Sequence, residues 1–222
     1  MRVEDRNALL RTTAFPGLER VDLVFGETLH ETGKRMRYVY FPTDAVISLL
    51  ATRGQGASPV EVGVVGREGM AGVAVALGVD VSPIHVAVQG TGSAMRATPA
   101  RFRAELARNP RLRREVYRYS HELTSQVMQI AACNRNHNVE QRLARWLLMM
   151  QERGGQDRVE LTQHFLGAML GVRRAGVNEA AGDLQRRELI RLRRGSMEIL
   201  DHAGVRGAAC ECYAALQLKP GR

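Results

Sequence analysis

Residues 161–201 read LTQHFLGAMLGVRRAGVNEAAGDLQRRELIRLRRGSMEILD, and this stretch decides the fold of the C-terminal half. Leu161, Phe165, Leu166 and Leu170 recur at the spacing of one buried helical face, and Thr162 is placed to cap the helix start. Gly171-Val172 breaks the period, after which Ala175, Val177, Ala181 and Leu184 form the inward set of a second helix. LIRL and MEIL, joined through RRGS with Gly195 in the turn, predict two short strands. The order is helix, tight glycine turn, helix, hairpin wing. Arg173 and Arg174 open the second helix, at the end that meets base edges and phosphates when a helix lies in a major groove. Two core helices with a solvated Arg face would share the periodicity, but the wing and the charge favour DNA binding.

The charge distribution agrees with that placement. The 222 residues carry a formal net charge of +9, which suits a polyanionic partner. Residues 1–110 hold 13 Lys/Arg against 11 Asp/Glu, whereas residues 111–222 hold 19 against 12, so the excess sits with the helix pair. A composition of 45% hydrophobic and 25% charged residues supports one or two packed domains. No signal-peptide pattern opens the chain and nowhere do about 18 apolar residues run uninterrupted, so a soluble, cytoplasmic protein without membrane partners is expected. Cys133, Cys210 and Cys212 are too few for a disulfide framework or a four-thiolate cluster. Cys210-Glu211-Cys212 offers two ligands one residue apart, a poor chelate without His partners, and no metal site is expected.

Upstream the pattern changes twice. Residues 1–22 predict one short helix and a turn at Pro16-Gly17. Short β-like runs follow at VDLVF, MRYVYF, AVISLL, VEVGVV and IHVAVQ, about ten residues apart and bounded by turn formers, the rhythm of a small β-barrel or sandwich. GREGMAGVAVALG, residues 66–78, interrupts them with a glycine turn and a short helix. Its free backbone N–H groups can cradle an anion, or its glycines can simply let a helix pack closely.

From Thr98-Pro99 the pattern is helical, and Pro110 starts a long helix of about 28 residues. Positions 112, 116, 119, 123, 126, 130, 133 and 137 alternate steps of four and three, approximating a heptad seam. Leu112, Val116, Tyr119, Leu123 and Ile130 are therefore expected at a dimer interface; packing on the chain's own barrel is the other reading. Asn138 with Gln141 forms a capping box for a further helix carrying Val139, Leu143, Trp146, Leu147 and Met150, which Gly154-Gly155 ends. A hinge at 136–138 then divides the chain into a roll over 1–109, a dimerisation helix over 110–137 and a DNA-binding domain over 138–222.

This order resembles the Crp/Fnr family of transcription regulators over about Val21 to Asp201. The resemblance rests most on Phe102 to Pro110 leading into the long helix, on Asn138-Val-Glu-Gln-Arg-Leu, and on LTQHFLGAMLGVRRAGV. It implies an α+β fold with an N-terminal cyclic-nucleotide-binding-like jelly roll, a long dimerisation helix and a C-terminal winged helix-turn-helix. It also implies a homodimer on a near-palindromic double-stranded operator, RNA polymerase as a further partner, and a sensing step that biases two dimer geometries.

Two departures shape what it implies about sites. Gly66, Glu68, Gly69, Ser82 and Pro83 occupy the effector positions, but the strand that follows the Gly-Glu turn carries Ser82-Pro83-Ile84-His85 and lacks the arginine that the family's cyclic-nucleotide binders use for the phosphate. Cyclic AMP is therefore not the expected effector, and no cofactor is assigned. On the second helix the family's Arg, Glu and Arg base contacts become Arg174, Ala175 and Glu179. Arg173, Asn178, Thr162 and Gln163 join the candidate DNA set, with Arg193 and Arg194 on the wing as phosphate contacts. A DNA-binding protein with no effector, its roll structural or partner-docking, is the alternative. An acid–base enzyme built on Glu68 with His85 or Asp44 has no triad, metal signature or Walker loop beside it, so no catalysis is expected.

Overall fold

The strand rhythm of the N-terminal half resolves into two antiparallel sheets in a computed structural model, which describes residues 5, 7, 15, 17–52, 54, 59–161 and 163–216. One sheet has the order β1 (Glu19–Leu23), β7 (Gly92–Ala97), β3 (Val39–Pro42). The other runs β2 (Thr28–His30), β6 (His85–Gly90), β4 (Val46–Ala51), β5 (Val60–Val65). Their inner faces bury Leu23, Val39, Phe41, Ile47, Val65 and Val88, so the two sheets close into a roll around one core. The five apolar runs are all represented. β2 and β7 were not expected, and the N-terminal short helix falls largely outside the described residues.

The 66–78 segment forms a glycine turn followed by a 3₁₀ helix, Val73–Leu77. Gly72 and Gly78 flank it at φ of +90° and +85°, conformations that need a residue without Cβ. Helix α1 (Pro99–Arg108) starts where Thr98 accepts from the Arg101 N–H and seats Phe102 in the roll core. Helix α2 (Pro110–Asn136) begins with an Asn109 side-chain cap on the Leu112 N–H and Pro110 in the first turn.

The seam of α2 is already occupied. Leu112, Val116 and Tyr119 are buried in the roll core with Leu123 packed beside them, Ile130 enters the C-terminal core, and the Gln126 Oε1 accepts the Val64 N–H of β5 at 2.7 Å. The five positions expected at a dimer interface therefore pack within their own chain. Apolar periodicity marks a buried face without saying what buries it. The opposite stripe of α2, at 117, 121, 124, 128, 131 and 135, repeats the four-three step and is exposed along its length, with Tyr117 at 50% and Met128 at 66%.

Helix α3 (Val139–Gly154) has the expected capping box, in which the Asn138 side chain accepts from the Gln141 N–H while the Gln141 side chain accepts from the Asn138 N–H. Residues 142–150 are buried on every face, because α3 lies between the roll and the C-terminal elements. Those elements are β8 (Arg158–Glu160), α4 (Gln163–Leu170), α5 (Arg174–Arg186), β9 (Ile190–Arg193), β10 (Ser196–Ile199), α6 (His202–Ala208) and α7 (Cys212–Leu216). Leu143, Trp146, Leu147, Leu166, Val177, Leu184, Ile190 and Val205 form one core, which Val46 and Val64 of the roll also enter. The tail beyond Asp201, uninformative as sequence, completes this core through Val205, Ala208, Tyr213 and Leu216.

Candidate nucleic-acid interface

The two helices of the C-terminal motif are held at a fixed angle by a short backbone turn. Gly171 takes φ of +62°, the Val172 N–H donates to the Gly167 carbonyl at 3.0 Å, and a Cβ on Gly167 would approach the Val172 oxygen at 3.2 Å. Arg173 is the extended residue from which α5 departs, its carbonyl accepting the Gly176 and Val177 N–H groups. Helix α5 buries Val177, Ala180, Ala181 and Leu184. Ala175, expected in that inward set, is exposed, and Ala180 takes the place on the buried face. The outward face presents Arg173, Arg174, Ala175, Asn178 and Glu179. Leu161, Leu166 and Leu170 are buried as expected, together with Met169. Thr162 lies outside the described residues, as do the side chains of Gln163 and Phe165.

The wing is a three-stranded sheet, one strand more than the sequence suggested. β10 pairs antiparallel with β9, setting Arg193 opposite Ser196 across a turn in which Gly195 takes φ of +80°, and pairs with β8 on its other side. Arg193 and Arg194 project at the exposed tip. Glu198 offsets part of the wing's charge, lying 3.1 Å from Arg191 and 3.8 Å from Arg193.

Helix α5 and the wing enclose an open groove of about 620 Å3. Leu161, Val177 and Met197 form its apolar floor; Arg174, Asn178, Arg193 and Arg194 form its polar rim. Four residues selected from sequence as DNA contacts thus converge on one concave surface. Three of them are arginines, which supply the bidentate donors that phosphate and guanine accept. Arg173, Ala175 and Glu179 stay on the exposed side of α5, outside that lining.

Comparison with known proteins assigns this unit. Residues 141–207 match the model of the Crp-like helix-turn-helix domain. Three solved structures share the overall fold at low identity. FixK2 from Bradyrhizobium japonicum aligns with a TM-score of 0.70 at 10% identity, over 87% of this chain and 98% of that one. A CRP-family transcriptional regulator from Thermus thermophilus gives 0.70 at 17%, over 87% and 99%. CLP, a c-di-GMP responsive global regulator from Xanthomonas campestris, gives 0.67 at 14%, over 88% and 99%. The chain has the Crp/Fnr fold. Within that fold, residues 141–207 carry the Crp-like helix-turn-helix domain. Among curated proteins, none matches it by sequence. No described helix is long and apolar enough to cross a membrane.

The positions expected from sequence to hold an effector are engaged by the chain's own elements. Glu68 is 2% exposed; its Oε1 accepts from the Gly66 N–H at 3.0 Å and from Arg153 Nε of α3 at 2.9 Å. Gly66 is glycine because a Cβ there would stand 2.7 Å from that of Arg153, and a Cβ on Gly69 would overlap the Tyr119 ring of α2. The glycines of this turn serve close packing, the plainer of the two readings. Ser82 is buried in its own turn, its hydroxyl donating to the Ile84 carbonyl and its N–H to that of Lys34, while Pro83 is exposed. Asp44 accepts from the Ser93 N–H and hydroxyl, and His85 is half-buried on β6.

Arg153 was missed from sequence, being 85 residues from its partner. A second contact between roll and α3 was missed as well. Glu61 of β5 is 5% exposed and accepts from the Trp146 indole N–H at 2.9 Å and from the Ser48 hydroxyl. Burial pushes its carboxyl up to about 7, against the opposing pull of those hydrogen bonds and of the Arg145 and Arg153 charges.

Proposed function

We propose that the protein is a homodimeric, sequence-specific transcription regulator that reads a near-palindromic operator through α5 and the wing. The observation that carries this reading is the groove whose rim gathers Arg174, Asn178, Arg193 and Arg194. Arg174 at the helix start reads guanine; Arg193 and Arg194 grip phosphate; Asn178 and Glu179 set a base preference different from that of relatives with Glu and Arg at the positions of Ala175 and Glu179. Thr162, Gln163 and Arg173 complete the contact set. The second copy docks along the exposed 117–135 stripe of α2, spacing two recognition helices about one DNA turn apart. Residues 1–109, 110–137 and 138–222 act as roll, dimerisation helix and DNA-binding domain, and RNA polymerase is a further partner. Selection from a random DNA pool tests the whole reading. A recovered palindrome is expected, and recovery of unrelated sequences in proportion to their input would sink it.

The commitment of Glu68 to Arg153 favours a particular form of this function. A cyclic nucleotide would have to displace a buried guanidinium from the carboxylate it needs for the ribose. The regulator therefore answers to another small molecule or to none, the roll then being structural or partner-docking. Thermal-shift measurement against nucleotides and metabolites separates these forms, since a ligand that binds only the folded chain raises its melting temperature.

A further inference from the structure

The end of α2 and the loop joining α6 to α7 bring together four side chains that the DNA-binding reading does not use. Cys133 stands on the last turn of α2 and His137 caps that helix, one turn further on and on the same face. Cys210 and Cys212 bracket a tight turn in which the Tyr213 N–H donates to the Cys210 carbonyl. All three cysteines are buried and free, and their sulfurs and the His137 nitrogen lie within 4.8 Å of one another. Cys133 Sγ is 3.4 Å from Cys210 Sγ, and Cys212 Sγ is 3.6 Å from His137 Nδ1. Neighbouring ligands of a tetrahedral zinc site stand about 3.5 to 3.8 Å apart, as follows from zinc–sulfur and zinc–nitrogen bonds of about 2.3 and 2.0 Å.

We propose that Cys133, His137, Cys210 and Cys212 form a tetrahedral Cys₃His site for a zinc ion, bridging the end of α2 to the C-terminal segment. The neighbouring side chains carry the features such a site needs. His137 Nε2 lies 3.1 Å from Glu211 Oε1, so a proton held at Nε2 leaves the Nδ1 lone pair facing Cys212 and the open centre of the cluster. Gln129 Nε2 donates to Cys212 Sγ at 3.0 Å, a bond that suits a sulfur bearing negative charge. Arg145 is 3% exposed, with its Nε and Nη1 unpartnered among the described residues, and its charge acts on both Cys133 and Cys210. Three thiolates, one neutral imidazole and a divalent cation sum to a single negative charge. That charge would compensate the buried guanidinium, which three neutral thiols would not. Loading takes one Zn²⁺, forms three Zn–S bonds and one Zn–N bond, and releases the three thiol protons to solvent. Glu211, 83% exposed at its side chain, marks the approach from solvent.

Cobalt substitution tests the site on the full chain under reducing conditions. One Co²⁺ per chain should bind with the intense visible bands of tetrahedral geometry and a thiolate-to-metal charge-transfer band, and Zn²⁺ should bleach both. Cys212→Ser and His137→Asn should abolish the charge-transfer spectrum or weaken binding at least 100-fold. Glu211→Gln, at an exposed side chain that does not test the fold, should weaken it 10- to 100-fold. The site is overturned by a pale octahedral cobalt spectrum, by Co²⁺ affinity that Glu211→Gln leaves unchanged, or by a Cys133–Cys210 disulfide that forms as fast with Zn²⁺ present as without it.

Discussion

Arg153 Nε stands 2.9 Å from Glu68 Oε1, and each of these side chains is about 1% exposed. One belongs to the turn after β5 and the other to the last turn of α3, so a buried ion pair fastens the roll to the C-terminal domain. Leaving one member unpaired in such a setting costs about 3–5 kcal/mol, whereas replacing both by apolar residues is often neutral. Glu68→Gln should therefore lower the urea midpoint by a corresponding amount, and Glu68→Leu with Arg153→Met should recover most of it. A double variant no better than the single one would show that the pair's charge is not what matters.

The groove between α5 and the wing predicts a division of labour. Arg174→Ala should weaken binding to the selected operator more than to random DNA, by about 1–3 kcal/mol at one base pair. Arg194→Ala should weaken both alike and reduce the salt slope by about 1. Equal losses for the two variants on every sequence would remove the base-reading role from Arg174.

Two substitutions on opposite faces of α2 separate self-packing from dimerisation. Met128→Glu changes a side chain that is 66% exposed, so the chain should fold normally and sediment as a monomer. Leu123→Glu places charge against the roll core and should lower the melting temperature without selectively dissociating the dimer. A Met128→Glu dimer of unchanged strength would move the interface away from this stripe.

Glu61 predicts a pH dependence of stability. Burial raises its folded-state pKa to about 7, above the value of 4.5 in the unfolded chain. The folded protein thus holds a proton that the unfolded chain releases, and stability falls as pH rises from about 4.5 to about 7. The span is on the order of 3 kcal/mol, from about 2.5 pH units at 1.36 kcal/mol per unit. Glu61→Gln should flatten this part of the profile and unfold at higher urea than the parent at pH 8. Identical profiles for both chains would mean that Glu61 ionises freely in the fold.

The helix-turn-helix and its wing were readable from residues 161–201 because their signals are local: a period of 3.6, a glycine able to take positive φ, and a turn glycine in the wing. β7 was not, since GSAMRA has no β-branched residue and is a strand only because β1 and β3 pair on either side of it. The heptad-like stripe of α2 was legible as a buried face, but its spacing serves a second copy or the roll equally, and within the chain it packs on the roll through Leu112, Val116 and Tyr119. Glu68 was legible as a candidate, while Arg153, which decides its role, was not. Cys133 and Cys210 are 77 residues apart. Only the fold of the tail back onto α2 makes neighbours of Cys210-Glu211-Cys212 and the His partner it lacked in sequence.

The seating of Tyr119 against Gly69 has a mechanical consequence. Tyr119 lies against a turn where no Cβ fits, and Cys133, fourteen residues on, lies against Cys210. At the α-helical rise these bearings are about 21 Å apart on one rigid rod. A rod held at two points along its length cannot swivel about either while both are seated. Any rotation of α2 must first lift one bearing, so a disturbance at the roll and a disturbance at the C-terminal tail act on the same shaft from opposite ends.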